Sequence, residues 1–259
     1  MKRLPGRVLG YLGAVAFLLL AWAALSAAVG NQALPGPWPT LTDFVRLFPS
    51  ELWPNLLVSG ARVLAALLIS LAAVPVGLFV GRSPRVDAVV APVVYLTYPI
   101  PKVVFLPVLL ILLGIGDASK VSLIALILFF QILVTARDAA RSIPPDSVLS
   151  VRSLGAGRWD VYRHVVFPAA LPEIFTALRI SVGTAIAVLF FSETVAGTSG
   201  LGWYILDAWS RLDYPAMYAG IVAMGLLGVV FYEVLEVIER RVSRWRSAGR
   251  TTGSAGEAA

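Results

Sequence analysis

Apolar residues along this chain gather in six long runs, at residues 8–29, 56–80, 89–113, 121–136, 177–196 and 216–238. None of these runs alternates apolar with polar in the manner of a barrel strand. A bilayer core of about 30 Å takes roughly 20 apolar residues per spanning helix, and in hydrocarbon each backbone N–H and C=O must be paired within the segment. The pattern therefore predicts an all-α membrane protein with six transmembrane helices. The third run is irregular because Pro92, Pro99, Pro101 and Pro107 fall in or beside it, and a helix kinked or broken at those positions is expected. The first run has the basic head and small-residue tail of a signal peptide, but its apolar stretch exceeds the usual ~7–15 residues, so a retained anchor is expected. Cleavage there would leave the other five spans in the same orientation.

Charge fixes the expected orientation. The segments holding both termini and the stretches around residues 82–85, 137–163 and 240–250 carry fifteen Lys and Arg residues, against Arg46, Lys120 and Arg211 on the opposite side. By the positive-inside rule both termini and residues 137–172 are cytoplasmic. Composition agrees with the membrane reading: 58% of residues are apolar, 14% are charged and the mean hydropathy is +0.83. The pI near 9.9 is thus largely topology, with basic residues spread over four cytoplasmic segments and no nucleic-acid-binding pattern. The absence of cysteine excludes disulfides, thiolate metal sites and a cysteine nucleophile.

Between the fourth and fifth runs lies a polar insert, "SVRSLGAGRWDVYRHVVFPAALPE", with the chain's only histidine. Pro144 and Pro145 can open a helix, and Val148, Val151 and Leu154 recur on one side of it. Gly155 and Gly157 are expected to end it. A second short helix is expected from Arg158, with Trp159, Tyr162 and Val165 or Val166 on one side, stopped by Pro168. Pro172 followed by Glu173 reads as the start of the fifth span. On pattern alone, two short amphipathic helices either rest on the membrane interface or dock a partner.

A resemblance separates those two readings. The insert resembles the cytoplasmic "EAA" loop of permease subunits of binding-protein-dependent ABC importers, whose pattern is E-A-A, three residues, G, nine residues, then I-x-L-P. Gly155 matches the glycine, Val165 and Phe167 stand at the apolar positions, and Pro168 matches the proline. Leu149, Ser150 and Val151 replace E-A-A, so the glutamate is missing. The likeness spans about residues 56–244, and "YPIPKVVFLPVLLILLGIGDASK" and "SETVAGTSGLGWYI" are similar to the sulfonate, nitrate and taurine branch. It implies a type I importer (MetI-like) permease core formed as a two-fold dimer, with a homodimer expected. It also implies two cytoplasmic ABC ATPase subunits and an external or periplasmic solute-binding protein. In that family the loop is a coupling helix seated in a groove of the ATPase. Carried over by position, the ATPase-coupling residues are Val151, Arg152, Ser153, Leu154, Gly155, Ala156, Gly157, Arg158, Trp159 and Pro168. Residues 1–55 then form an anchor helix and a Pro-rich external loop, 56–244 the transport core, and 245–259 a disordered tail.

Other chemistries fit less well. "GTSG" matches the G-x-S-G of intramembrane serine proteases, but His164, the available base, lies across the membrane from Ser199 in this topology. No G-K-[ST] exists for a P-loop, so ATP hydrolysis falls to another polypeptide. Neither enzyme activity, nor a cofactor, nor a metal is expected. An autonomous secondary transporter or channel is the competing class, distinguishable by transport without an ATPase, and importers of a thiamine precursor or other small organic ion compete within the family. The candidate pathway residues are Lys102, Pro99 and Pro101 in the proline-broken run, with Glu193 near the outer end of the fifth. A cation in a span must face the interior, pair or snorkel. Trp203, Tyr204, Trp209 and Tyr214 are expected as anchors on an interfacial or re-entrant helix.

Overall fold

A computed structural model describes residues 4–243, and all regular structure among them is helical. The order is α1 (Leu4–Val29), α2 (Pro37–Leu47), a wide turn (Phe48–Leu52), α3 (Trp53–Ser70), α4 (Ala73–Arg82) and α5 (Pro84–Thr97). There follow a tight turn (Lys102–Phe105), α6 (Leu106–Leu113), α7 (Asp117–Ser142), α8 (Pro145–Ser153) and α9 (Arg158–Val161). A second wide turn (Tyr162–Val166) leads into α10 (Phe167–Ala196), then α11 (Leu201–Ser210) and α12 (Tyr214–Val242). The tail expected at 245–259 lies outside the described residues.

Among the described residues, five helical runs are long and apolar enough to cross a bilayer, and six if one bent pair counts as a single span. That pair is the proline-rich third run: Pro84–Thr97 and Lys102–Leu113 meet at 84°. Pro99 and Pro101 sit at the break, where each lacks the N–H that would continue the helical ladder. The fifth span departs from expectation. Pro168 does not stop a helix, and Arg158–Ala196 runs on as one 39-residue apolar helical stretch with Pro172 inside it. The wide turn explains this, because the N–H of Phe167 reaches back to the carbonyl of Tyr162 and opens the turn just ahead of the Pro168 ring. The Pro-rich stretch expected as a loop is helical from Pro37, since prolines in a first turn sacrifice no intrahelical donor.

The chain divides into two compact units, with boundaries inside α3, α10 and α12. Among the described residues, one comprises 60–192 and 227–243. Its core is the pairing of α4 with α7, in which Leu123, Ile124, Leu128 and Ile132 are fully buried. The sequence "GLFVG" makes this approach possible. A Cβ on Gly77 would stand 2.6 Å from the Leu133 carbonyl oxygen, and one on Gly81 would stand 2.2 Å from that of Arg137. Ala136 and Ala140 face these glycines, so small residues spaced by four let the two backbones meet. Polar links brace the same unit. Buried Arg62 donates from Nε to Asp117 at 2.8 Å, Ser181 donates to Gln131 at 3.0 Å, and Arg179 pairs with Glu239 at 3.1 Å.

The other unit comprises, among the described residues, 4–59 and 193–226. Here α1 is tied to the following turn by Trp22 Nε1, which donates to the Pro35 carbonyl at 3.0 Å, and by Ser26 Oγ, which donates to Leu34 at 2.8 Å. The helix expected to carry interfacial aromatics exists as α11, but Tyr204 is not an anchor on its surface. Its ring is buried against Gly220, whose missing side chain makes the room, while Trp209 is exposed.

Candidate functional site

The polar insert folds as a helix, a glycine corner and a second helix. Pro145 occupies the first position of α8, where its lack of an N–H costs nothing. The helix ends where the two glycines predicted. The Gly155 N–H reaches the Arg152 carbonyl at 2.9 Å, the Ala156 N–H reaches that of Val151 at 3.4 Å, and Gly155 has φ +86°. This is the Schellman arrangement, which satisfies two orphan carbonyls through a left-handed residue that glycine adopts without a Cβ clash. Gly157 then begins α9, and its N–H is held by Asp160 Oδ2 at 3.0 Å.

The apolar stripe is split rather than continuous. Val148, Val161 and Val166 are buried, and Tyr162, whose hydroxyl donates to the Leu78 carbonyl at 3.3 Å, fastens the insert to α4. Val151 and Ala156 are half-buried at the corner. Leu154, aligned by spacing with buried Val148, and Trp159, aligned with Tyr162 and Val166, point outward at 86% and 75% exposure. Leu154 has left the helical stripe because it is the cap residue, one place beyond the last turn. Arg152, Ser153 and Arg158 are exposed around them, and half-buried Pro168 lies behind the wide turn. The glycine corner thus presents two large apolar side chains within a basic, water-accessible surface.

Two further devices were not legible in the sequence. Asp87, in the first turn of α5, pairs with Arg137 and accepts from Arg141 at 2.7 Å, which locks the end of α7. Arg137 and Arg141 are therefore structural. The second device surrounds Glu193. Its carboxylate accepts the Ser59 hydroxyl at 2.8 Å and the Gly202 N–H at 2.8 Å, and Ser59 Oγ accepts the Leu201 N–H at 2.8 Å. Asn55 Oδ1 takes the Gly200 N–H at 2.8 Å. All of Glu193 and Ser59 is buried. Three residues from α3 and α10 thereby satisfy the N–H groups that open α11, and Gly200, at φ +104°, makes the turn into it. No spacing rule in one sequence links Ser59 to a carboxylate 134 positions away.

Lys102 follows the exposed break at Pro99 and Pro101. Its Nζ donates to the carbonyls of Thr97 and Tyr98, each at 3.3 Å, and lies 4.8 Å from the centre of the Phe130 ring. The lysine thus pairs with the carbonyls left open at the end of α5, a favourable place for a cation. His164 sits at an exposed position, its Nδ1 3.0 Å from the Asp160 carbonyl. Among the described residues no group of three or more His, Asp or Glu side chains could hold a metal.

Residues 73–244 match the family described as the inner membrane component of binding-protein-dependent transport systems. The chain belongs to that family. It is a multi-pass inner-membrane permease of an ABC importer, and the family implies an ATPase and a solute-binding protein as partners. The permease is 32% identical over 243 residues to the taurine transport system permease protein TauC of Escherichia coli strain K12, covering 90% of this chain and 88% of that one. It is 29% identical to the riboflavin transport system permease protein RibX of Chloroflexus aurantiacus, over 96% and 94% of the two chains. A putative aliphatic sulfonates transport permease protein, SsuC of Bacillus subtilis, is 26% identical over 90% and 86%. The fold is that of a methionine ABC transporter, MetNI, captured inward facing. That likeness has a TM-score of 0.62 at 20% identity, covering 74% of this chain and 95% of that one.

Proposed function

We propose that this permease forms the membrane pathway for a small sulfonate- or taurine-like anion, as a homodimer driven by two ATPase subunits and fed by an external binding protein. The exposed Leu154 and Trp159 on the glycine corner carry the coupling part of this reading. Large apolar side chains at such exposure in a basic surface mark a protein contact. Residues 151–159 enter the ATPase groove, and Pro168, behind the wide turn, belongs to the rigid base that passes movement into α10. Both termini are cytoplasmic, as the basic residues require. Catalysis resides in the ATPase, and the permease itself performs none.

The pathway assignment rests on the break in the third span. Tyr98, Pro99, Ile100 and Pro101 are exposed on the single chain, and irregular backbone at membrane depth must be covered by protein or line a watery cavity. A second copy and the pathway between copies meet that requirement. Lys102 places a positive charge at this break, which suits an anionic substrate. Glu193 acts indirectly, by fixing the entrance to α11. The TauC likeness favours taurine and related sulfonates, whereas RibX, at nearly the same identity, favours a broader solute range. Uptake of labelled taurine into proteoliposomes holding permease, cognate ATPase and binding protein decides between them. Saturable ATP-dependent uptake, competed by alkanesulfonates and not by riboflavin, is the expected result.

A further inference from the structure

Two adjoining cavities open near the end of α4, and neither belongs to the coupling contact alone. The first, a cleft of about 440 Å³, is lined by Arg82, Arg85, Arg152 and Arg158 with Phe79 and Tyr162 among its walls. No carboxylate lines it. The nearest acidic side chains in sequence are engaged elsewhere, Asp87 by Arg137 and Arg141 and Asp160 by the Gly157 N–H. Four arginines therefore line one cleft with no acidic residue among its walls, and Arg82 has only a marginal 3.5 Å contact to the Ala140 carbonyl. The second cavity, of about 560 Å³, is almost wholly apolar and is bounded by Val74, Pro75, Leu78, Trp159 and Phe167. Phe79 and Tyr162 line both, so the basic cleft and the apolar groove are continuous.

We infer that this paired site holds an anionic phospholipid, with the phosphate in the arginine cleft and an acyl chain in the groove. The groove walls come from α4 and from α9, the wide turn and the first residue of α10, within helical runs long and apolar enough to span the bilayer. Arg82 and Arg158 stand at the ends of those same runs, and Arg85 opens the next, where head groups lie. A guanidinium binds a phosphate by paired hydrogen bonds as well as by charge, and basic pockets beside spanning helices suit such head groups. The groove favours lipid over an acidic protein segment, because its α4 wall belongs to a helical run long and apolar enough to span the bilayer. This inference goes beyond the transport reading and is independent of the substrate.

The test is native mass spectrometry of the full-length permease released from micelles holding equal phosphatidylglycerol and phosphatidylcholine. The wild type should retain phosphatidylglycerol preferentially, and the Arg82→Gln/Arg85→Gln variant should lose about tenfold or more of that preference. The Arg82→Lys/Arg85→Lys variant, which keeps the charge, should retain most of it, and Arg241→Gln, remote in sequence, should leave it unchanged. Excess glycerol 3-phosphate should not displace the lipid. Equal retention of both lipids by the wild type, or an unchanged preference in the double Gln variant, would overturn the inference. So would displacement by glycerol 3-phosphate, which means a free-anion site. Loss of ATPase binding in the double Gln variant, with no lipid preference in the wild type, would assign the arginines to the ATPase contact instead.

Discussion

Replacing Glu193 by Gln tests how the entrance to α11 is held. The carboxylate accepts two hydrogen bonds at 2.8 Å, one from Ser59 Oγ and one from the Gly202 N–H. Ser59 Oγ is already an acceptor for the Leu201 N–H at 2.8 Å, so its own proton must go to Glu193. A glutamine has one carbonyl oxygen. In the place of Oε2 that oxygen still meets the Gly202 N–H, and Ser59 Oγ at 3.0 Å, but as a neutral acceptor, while the NH2 takes the place that held the 2.8 Å Ser59 bond; in the other place the NH2 opposes the Gly202 N–H. A bond to a charged group contributes about 1.5–3 kcal/mol against about 0.5–1.5 for a neutral one, so Glu193→Gln should lose about 1–3 kcal/mol locally. Glu193→Ala leaves both buried donors without this acceptor and should lose about 2–6 kcal/mol. Hydrogen exchange of the purified permease reads this directly: peptides containing Leu201 and Gly202 should exchange about 5- to 150-fold faster in the Gln variant. Wild-type exchange there, together with wild-type thermal stability, would refute the charged clamp.

Packing, topology and pathway give three more expectations. Gly81→Val should cost about 3 kcal/mol or more and sharply lower the yield of folded protein, because its Cβ would meet the Arg137 carbonyl oxygen at 2.2 Å, whereas Gly225→Ala, with nothing within 4 Å, should be neutral or slightly stabilising in a thermal melt. A cysteine at Ser153 in this cysteine-free chain should resist an impermeant thiol reagent applied outside intact cells and react once the membrane is opened. Lys102→Met should keep ATPase association and reduce anion uptake at saturating substrate; unchanged uptake kinetics would confine Lys102 to pairing with the Thr97 and Tyr98 carbonyls.

The spans were legible because bilayer thickness imposes a length and hydrogen bonding imposes a helix, and neither depends on tertiary partners. The break at Pro99 and Pro101 and the helix end at Gly155 were legible for the same local reason: a missing donor and a left-handed φ are properties of single residues. Pro168 misled because a proline stops an ordinary helical turn, and nothing in its neighbourhood announces the wide turn that accommodates it. Periodicity aligned Leu154 with Val148 and Val151, which holds only while the helix lasts, so the outward turn of Leu154 at the cap was not legible. The clamp joining Ser59 and Glu193, and the pairing of Asp87 with Arg137, depend on helix contacts across large sequence separations. They became visible only when the helices were assembled.

The central claim is that an ATPase drives this pathway through the glycine corner, and reconstituted uptake with paired corner variants tests it most directly. Gly155→Val forces a β-branched residue to φ +86°, and Leu154→Asp puts a charge where an 86% exposed leucine should enter an apolar groove. Both variants should insert and melt like the wild type in detergent. In proteoliposomes with binding protein and ATPase, the wild type should show ATP-dependent uptake that both variants lose, with failed ATPase pull-down or hydrolysis uncoupled from transport. Wild-type pull-down and uptake in both variants, or uptake by the permease without any ATPase, would contradict the account.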